Sequence, residues 1–384
     1  MVTLQNAENA LKTVYLGAIT ELLNTKANPL LTKIEQTSAD VWGKEIRRAV
    51  VYGLAGGVGA GDEDGELPKS GARNYLQFTG TLKNLFGQIE ISDKAIRASA
   101  DGKGAFTDLL DAELQSLLNA SKFNLGRMLY GNGSGVLAGV INRKSAKACY
   151  ADKPYNFVEG MTVDIYNSDE SLAAERVRVV KIDLSTNEVA FDGDISAVTS
   201  GAKIYVQGSK DKEITGLGAL FDNSATLYGL NKADYPILNS YIKTGVGNID
   251  DIVIQRAVDE LENKANSTVD FISCAANVKY AYQDYLSQYK RNIDIMELEG
   301  GYKSLSFNGI PLVYDRFIES GTMYLLNTKA FKMHQLCDWR FLENENGKIL
   351  HQTQGKATYT ATLVKYCDLM CDRPNGQAKL TGIK

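Results

Sequence analysis

The sequence predicts a mixed α+β protein carrying a small inserted β-barrel or β-sandwich. Three observations lead there. Apolar residues recur at helical spacing from Ala105 to Tyr130, long enough for a structural helix. Short β-like runs separated by Asn, Asp, Gly and Ser turns fill the stretch from Tyr155 to Gln207. From Ile249 onward, helix-like and strand-like stretches alternate.

From Thr3 to Thr25, the residues Leu4, Ala7, Leu11, Tyr15, Ala18, Ile19 and Leu22 recur at helical spacing, with Glu8, Lys12 and Glu21 between them. Asn28-Pro29 stops the pattern, because the residue before a proline is pushed out of the helical region. Such an amphipathic terminal helix has no partner nearby in sequence and must pack on something distant in the chain or on another subunit. Next, Ala49-Val50-Val51-Tyr52 reads as a strand leading into Gly53-Leu54-Ala55-Gly56-Gly57-Val58-Gly59-Ala60-Gly61. An acidic tip follows, Asp62-Glu63-Asp64-Gly65-Glu66-Leu67-Pro68-Lys69, and β-like sequence returns through Tyr75, Phe78 and Ile89 to Ile91. Two strands around a long polar, glycine-rich tip describe a hairpin that reaches away from its own core, and loops this long are usually functional.

The helix from Ala105 to Tyr130 gathers Phe106, Leu109, Leu110, Leu114, Leu117, Leu118, Leu125, Met128 and Leu129 on one broad stripe, with Asp111, Gln115, Lys122 and Arg127 largely outside it. Gly131-Asn132-Gly133 ends it. At 1.5 Å per residue its length is about 39 Å. The β-rich stretch contains runs from Met161 to Tyr166, Arg176 to Ile182, Glu188 to Phe191 and Lys203 to Val206, the spacing of a small barrel or sandwich. Beyond it, Ile249, Ile252, Val253, Ala257 and Leu261 mark a helix, Thr268 to Cys274 a buried strand and Val278 to Tyr289 another helix. Asn308-Gly309 stands between two strand-like runs, the strongest short-range hairpin signal. A final alternating strand runs from Thr358 to about Leu369, before the turn Asp372-Arg373-Pro374-Asn375-Gly376.

With 384 residues, 44% hydrophobic and 23% charged, the chain can bury a large core and divide into roughly two or three lobes. Its net charge of −4 carries no basic footprint, which argues against sequence-specific nucleic-acid binding. The opening Met1-Val2-Thr3-Leu4 is not a charged-then-apolar leader, so export is not expected. Apolar runs stay well short of the roughly 20 residues that cross a bilayer, and no membrane partner is expected. The five cysteines are odd in number and scattered, which predicts free thiols in a reducing compartment.

Motifs for chemistry fail one by one. The glycine run around Gly56 lacks the Gly-Lys-Ser/Thr ending and a following helix, so it cannot cradle a nucleotide phosphate. Read as a calcium loop starting at Asp62, the tip puts Leu67 where the turn glycine belongs and Arg73 where the bidentate glutamate belongs. A solvated tip, or one that pairs with basic residues of a neighbouring chain, is the better reading. His334 and Cys337, with Asp338 adjacent, could share one helical face, but neighbours at that spacing seldom aim reactive atoms at each other. His351 is the only other histidine, which argues against zinc. Cys367 and Cys371 fit neither a zinc ribbon nor a redox pair and read as half-buried strand residues. No enzyme signature remains and no cofactor is implied, although a hydrolase working through carboxylates alone would leave no such trace.

The order of parts, an N-terminal helical arm, a long glycine-rich hairpin, a spine helix and a mixed α+β body, resembles the tailed-bacteriophage major capsid proteins of the Hong Kong 97 fold. Local phrases resemble that family too: Gly65-Glu66-Leu67-Pro68, Ile91-Ser92-Asp93-Lys94-Ala95-Ile96-Arg97-Ala98-Ser99, Leu125 to Gly135, and Phe307-Asn308-Gly309-Ile310-Pro311-Leu312-Val313-Tyr314-Asp315. The resemblance covers nearly the whole chain. It implies an N-arm at residues 1–44, an E-loop at 45–100 and a P-domain with the spine helix at 101–150. An inserted β domain at 155–207, an A-domain mostly within 216–350, and a C-terminal P-domain strand and tail at 351–384 complete it. The implied function is structural, not enzymatic: copies self-assemble into pentamers and hexamers of an icosahedral head enclosing double-stranded DNA, which they contact non-specifically. A portal protein and scaffold or decoration proteins are the implied further partners. Assembly would take place in the host cytoplasm and the product would be the virion. An arm that starts near Met1 favours a separate scaffold protein or none.

Candidate inter-subunit contacts are Glu63, Asp64, Glu66, Pro68, Lys69 and Arg73 of the E-loop. Some family members join subunits by an isopeptide bond between an E-loop lysine and a P-domain asparagine. Lys69 and Asn375 have those types in the corresponding parts, and the reaction needs a lysine desolvated beside an acid. Encapsulin nanocompartment shells, which hold cargo enzymes, share the fold. The inserted β domain and the chain length lean toward the phage head.

Overall fold

The computed structural model describes residues 16–25, 28–53, 57–66, 69, 74–94, 105–289, 295–298, 302–345 and 347–384. Ala105–Tyr130 forms one unbroken helix, the spine, with Leu114, Leu117, Leu118, Leu125 and Leu129 buried as the stripe requires. It packs on a five-stranded sheet centred on Thr358–Cys371. Phe331–Phe341 pairs antiparallel on one side of that strand and Lys83–Ser92 on the other. Glu35–Thr37 adds a parallel edge to Phe331–Phe341, and His351–Gln352 pairs with the start of Thr358–Cys371. Helix and sheet approach closely at Gly87, where a Cβ would come within 2.7 Å of Leu117 Cδ1.

A seven-stranded mixed sheet forms the second body, in the order Tyr241–Lys243, Ala378–Leu380, Met323–Leu326, Phe271–Cys274, Ile310–Tyr314, Tyr302–Phe307, Ile295–Leu298. Its helices are Asp251–Ala265 and Ala276–Tyr289. The first is capped by Asp250, whose side chain accepts from Val253 N at 2.7 Å, and stopped by Asn266 in the left-handed region (φ 46°). Asn308 (φ 49°) and Gly309 (φ 80°) make the tight turn expected between Phe307 and Ile310.

Two strands lie in the other sheet from the one that their position suggests. Phe331–Phe341, inside the 216–350 segment, pairs with Thr358–Cys371, while Ala378–Leu380 of the tail enters the seven-stranded sheet. Both pairings are non-local, and sequence proximity does not report them.

The inserted β domain is a closed six-stranded barrel, in the order Glu188–Phe191, Ala148–Ala151, Val136–Ser145, Lys203–Val206, Thr162–Tyr166, Leu172–Asp183. It therefore begins at Val136, earlier than the 155–207 segment. Val136–Ser145 buries Leu137, Ala138 and Val140 but ends in a solvent-exposed half carrying Arg143 and Lys144, so it lacks the alternation that marks a strand.

The arm helix is described over Leu16–Thr25, and the stretch from Thr3 to Tyr15 lies outside the described residues. Its described part packs within its own chain, on the spine helix and on Phe331–Phe341, with Leu23 fully buried. This half therefore has a partner within its own chain, distant in sequence.

Candidate assembly interface

Glu45–Tyr52 and Asn74–Thr81 pair antiparallel from Glu45↔Thr81 to Tyr52↔Asn74, with Val41–Trp42 as a third strand. Period-two alternation gives this ribbon two faces. On the inner face Ile46, Val50 and Phe78 are buried, and the Phe78 ring lies 5.3 Å from that of Tyr228. Thr79 N donates to Tyr228 O at 3.0 Å. Arg48 anchors the root, donating to Asp372 at 3.0 and 3.2 Å and to Asp40 at 2.7 Å. These bonds, that to Asp372 foremost, push the guanidinium pKa still higher, and the charge is permanent.

Among the described residues nothing covers the outer face. Trp42 is 71% exposed and Tyr75 60%, and Tyr75 stands directly opposite the exposed Val51. Beyond the paired strands, residues 57–66 are all exposed, including Val58 at 91%, and a turn closes from Gly65 N to Asp62 O at 3.1 Å. Glu63, Asp64 and Glu66 thus share one solvated tip, and Lys69 is also exposed. Pro68 and Arg73 lie outside the described residues. Asn375 belongs to a different element, the Pro374–Gly376 turn, where it is half-buried.

Other singled-out residues fall elsewhere. His334 and Cys337 lie on the bulged strand Phe331–Phe341, not on a helix. His334 is fully buried and its Nδ1 lies 3.0 Å from Ala39 O. Burial lowers its pKa and favours the neutral ring. Cys367 and Cys371 are fully buried strand residues, and burial pushes the Cys367 thiol up to about 12. Among the described residues no group of three or more His, Cys, Asp or Glu could hold a metal ion, and no helix is long and apolar enough to cross a membrane.

Sequence reasoning missed the buried charges that tie the arm, the spine and the central strand to distant parts of the chain. Lys365 Nζ donates to Gln36 Oε1 at 2.8 Å, Asp338 Oδ1 at 2.9 Å and Asn24 Oδ1 at 3.2 Å. Burial alone would raise the Asp338 pKa, but the Lys365 ammonium and Asn24 hold it below the usual carboxylate range. Arg127 of the spine makes a two-pronged pair with Glu213 at 2.9 and 2.5 Å, both side chains being almost wholly enclosed. Asp315 accepts from Asn28 Nδ2 at 2.5 Å and Phe317 N at 3.0 Å. Asp368 accepts from Thr215 N at 2.6 Å and Thr215 Oγ1 at 3.1 Å. Desolvation pushes both carboxyls up to about 6. Arg127, which the helical pattern places largely outside the apolar stripe, is buried because Glu213 from beyond the barrel covers it, and the one signal in sequence was Lys365 following Leu363-Val364 in an apolar strand.

No family model matches the sequence, and no curated protein matches it by sequence. Among solved structures, the chain is similar to the capsid of cyanophage A-1(L), with a TM-score of 0.57 at 12% identity over 92% of each chain. An encapsulin complex from Synechococcus elongatus gives a TM-score of 0.49 at 10% identity, over 92% of this chain and 87% of that one. The satellite phage P4 procapsid gives 0.45 at 9% identity, over 99% and 96%. The first of these likenesses carries the conclusion that the chain has a viral shell-protein fold. That fold is the Hong Kong 97 type of tailed-phage capsids, mixed α+β, here with a barrel inserted after the spine helix.

Proposed function

We propose that this chain is the structural subunit of a tailed-phage head, assembling as pentamers and hexamers into an icosahedral shell around double-stranded DNA. The observation that carries the reading is the hairpin: rooted by Phe78 and Arg48, it holds out Trp42, Val51 and Tyr75 and a solvated tip that no described residue of its own chain covers. A lone subunit gains nothing from exposing Trp42, Val51 and Tyr75, whereas a symmetric lattice buries the same patch on every copy. The cyanophage capsid's shared fold supports the reading. The net charge of −4 suits a wall that touches packaged DNA without gripping it. Glu63, Asp64, Glu66 and Lys69 would meet a neighbouring subunit, and a portal with scaffold or decoration proteins would complete the particle.

Electron microscopy of the purified protein after size-exclusion chromatography tests this directly. Closed shells, tubes, or rings of five and six subunits are expected. A monodisperse monomer at every concentration, even with a scaffold partner supplied, would overturn it. A bond between Lys69 and Asn375 would appear as a ladder of covalent multimers on a denaturing gel.

A further inference from the structure

The root of the hairpin rests on two buried titratable side chains. His334 and Asp368 stand directly opposite each other where Phe331–Phe341 pairs with Thr358–Cys371, so both point to the same face of that sheet. Both meet the hairpin there. His334 Nδ1 lies 3.0 Å from the carbonyl oxygen of Ala39, just before Val41–Trp42, and a Cβ on Gly80 would lie 3.8 Å from Asp368 Oδ2.

One ring nitrogen of His334 is satisfied and the other is not. Ala39 O can only accept, so Nδ1 carries the hydrogen and donates it, which leaves Nε2 as the bare acceptor of the neutral ring. Nε2 has no partner among the described residues, and the side chain is fully enclosed. Charging the ring would put a second N–H there, and a buried donor left unpaired is costly. The acceptors around it are already in use. Asp40, from the turn before Val41–Trp42, holds Arg48 at 2.7 Å, and Asp372, beyond the central strand, holds Arg48 at 3.0 and 3.2 Å. Asp368, from the central strand itself, holds Thr215. Glu35–Thr37 sets the uncharged Thr37 level with the ring. Asp40 and Asp372 attract a proton to the ring and Arg48 repels it. A protonated His334 thus competes with Arg48 for the carboxylates that fasten the hairpin.

We propose that His334 is an acid-operated latch for the hairpin: a proton taken up at Nε2 draws Asp40 or Asp372 from Arg48 and frees the root of the ribbon to move. Burial lowers the ring's pKa, so the neutral form that keeps the root closed is complete above about pH 6.5 and is lost as pH falls below it. Asp368, pushed up to about 6, takes up its proton in the same range, but that change relieves the native state, so the two groups act in opposite senses. The latch lies within one chain and goes beyond the shell reading without resting on it.

Hydrogen exchange of the unassembled full chain, compared at about pH 7.5 and about pH 5.5 with labelling times scaled to the intrinsic rate, tests the latch. Peptides from 45–52 and 74–81 should exchange roughly tenfold faster at the lower pH, while 114–130 of the spine keep their protection. His334→Gln can still donate to Ala39 O but cannot charge, so there the difference should vanish; in Asp368→Asn it should persist. Parent exchange that ignores pH, a response that survives in His334→Gln or is lost in Asp368→Asn, or one spread equally over the spine overturns the proposal. A second measurement leaves position 334 untouched. In His351→Gln one histidine remains, and Trp42→Phe identifies the Trp42 indole signal in NMR spectra. That signal should shift with the midpoint of the ring's titration. An indole that stays put while the ring titrates, or a ring that takes up no proton above about pH 4, overturns the latch.

Discussion

Lys365 is enclosed, yet its ammonium touches three other parts of the chain: the arm helix at Asn24, the edge strand at Gln36 and the strand Phe331–Phe341 at Asp338. A buried charge of this kind adds little net stability while it is paired, but leaving its partners unpaired is costly. Lys365→Met keeps most of the volume and takes the ammonium from Asp338, which keeps its bonds from Asn24 and Trp339 N, so unfolding of the unassembled protein in denaturant should show a loss of about 2 kcal/mol. A loss under about 0.5 kcal/mol would mean that water already satisfies this network. Asp368 works in the opposite sense. Its folded pKa of about 6 lies above the ordinary carboxylate value, so between roughly pH 4 and 6 the native state holds a proton that the unfolded state has lost. The native state is thus penalised as pH rises through that window, and the penalty is complete above it. Asp368→Asn keeps an acceptor for Thr215 N and lets the Thr215 hydroxyl turn to accept. Relative to the parent it should gain on the order of 2–3 kcal/mol between pH 4 and 7. A stability difference that does not change with pH would show that the carboxyl is not desolvated.

For the elements, legibility followed regularity. The spine, the hairpin strands and the Asn308-Gly309 turn were readable because each keeps one period or one turn signal throughout. Phe331–Phe341 was not. Its register shifts between Gln335 and Cys337 and again before Arg340, and both Met333 and His334 are buried, so no period of two survives and the segment invites a helical reading. Fold class and the exposed tip were therefore legible, whereas Arg48, Lys365 and Asp315 were not, because their partners lie far off in sequence. The hairpin itself can be tested as an element. Replacing residues 57–66 with a short turn removes only exposed side chains and leaves every pair from Glu45↔Thr81 to Tyr52↔Asn74. Melting of the isolated subunit should move by no more than about 0.5 kcal/mol in stability terms, while shells should be missing from micrographs. Normal particles built from that variant would remove the tip from the assembly interface.

At the scale of the whole molecule, Leu16–Thr25 and Ala378–Leu380 are each built into structures formed mainly by residues far from them in sequence. Ala378–Leu380 fills the gap between Tyr241–Lys243 and Met323–Leu326, and the arm helix places Leu23 in the main core and Asn24 beside Lys365. This divides the arm into two parts with different expected roles. Removing residues 1–25 takes away a fully buried leucine and one partner of an enclosed ammonium, so the isolated subunit should lose several kcal/mol, roughly the sum of a core truncation and a broken polar contact. Removing residues 1–15 spares both anchors, and the isolated subunit should melt as the parent does. If the apolar stripe of Leu4, Leu11 and Tyr15 instead meets a neighbouring subunit, its loss should appear only after assembly, as particles that melt at lower temperature than parent particles. Paired melts of subunit and particle for the two truncations separate the roles: a 1–15 deletion that destabilises the subunit would place that stripe in the chain's own core, and one that leaves both melts unchanged would deny it any part in holding the shell together.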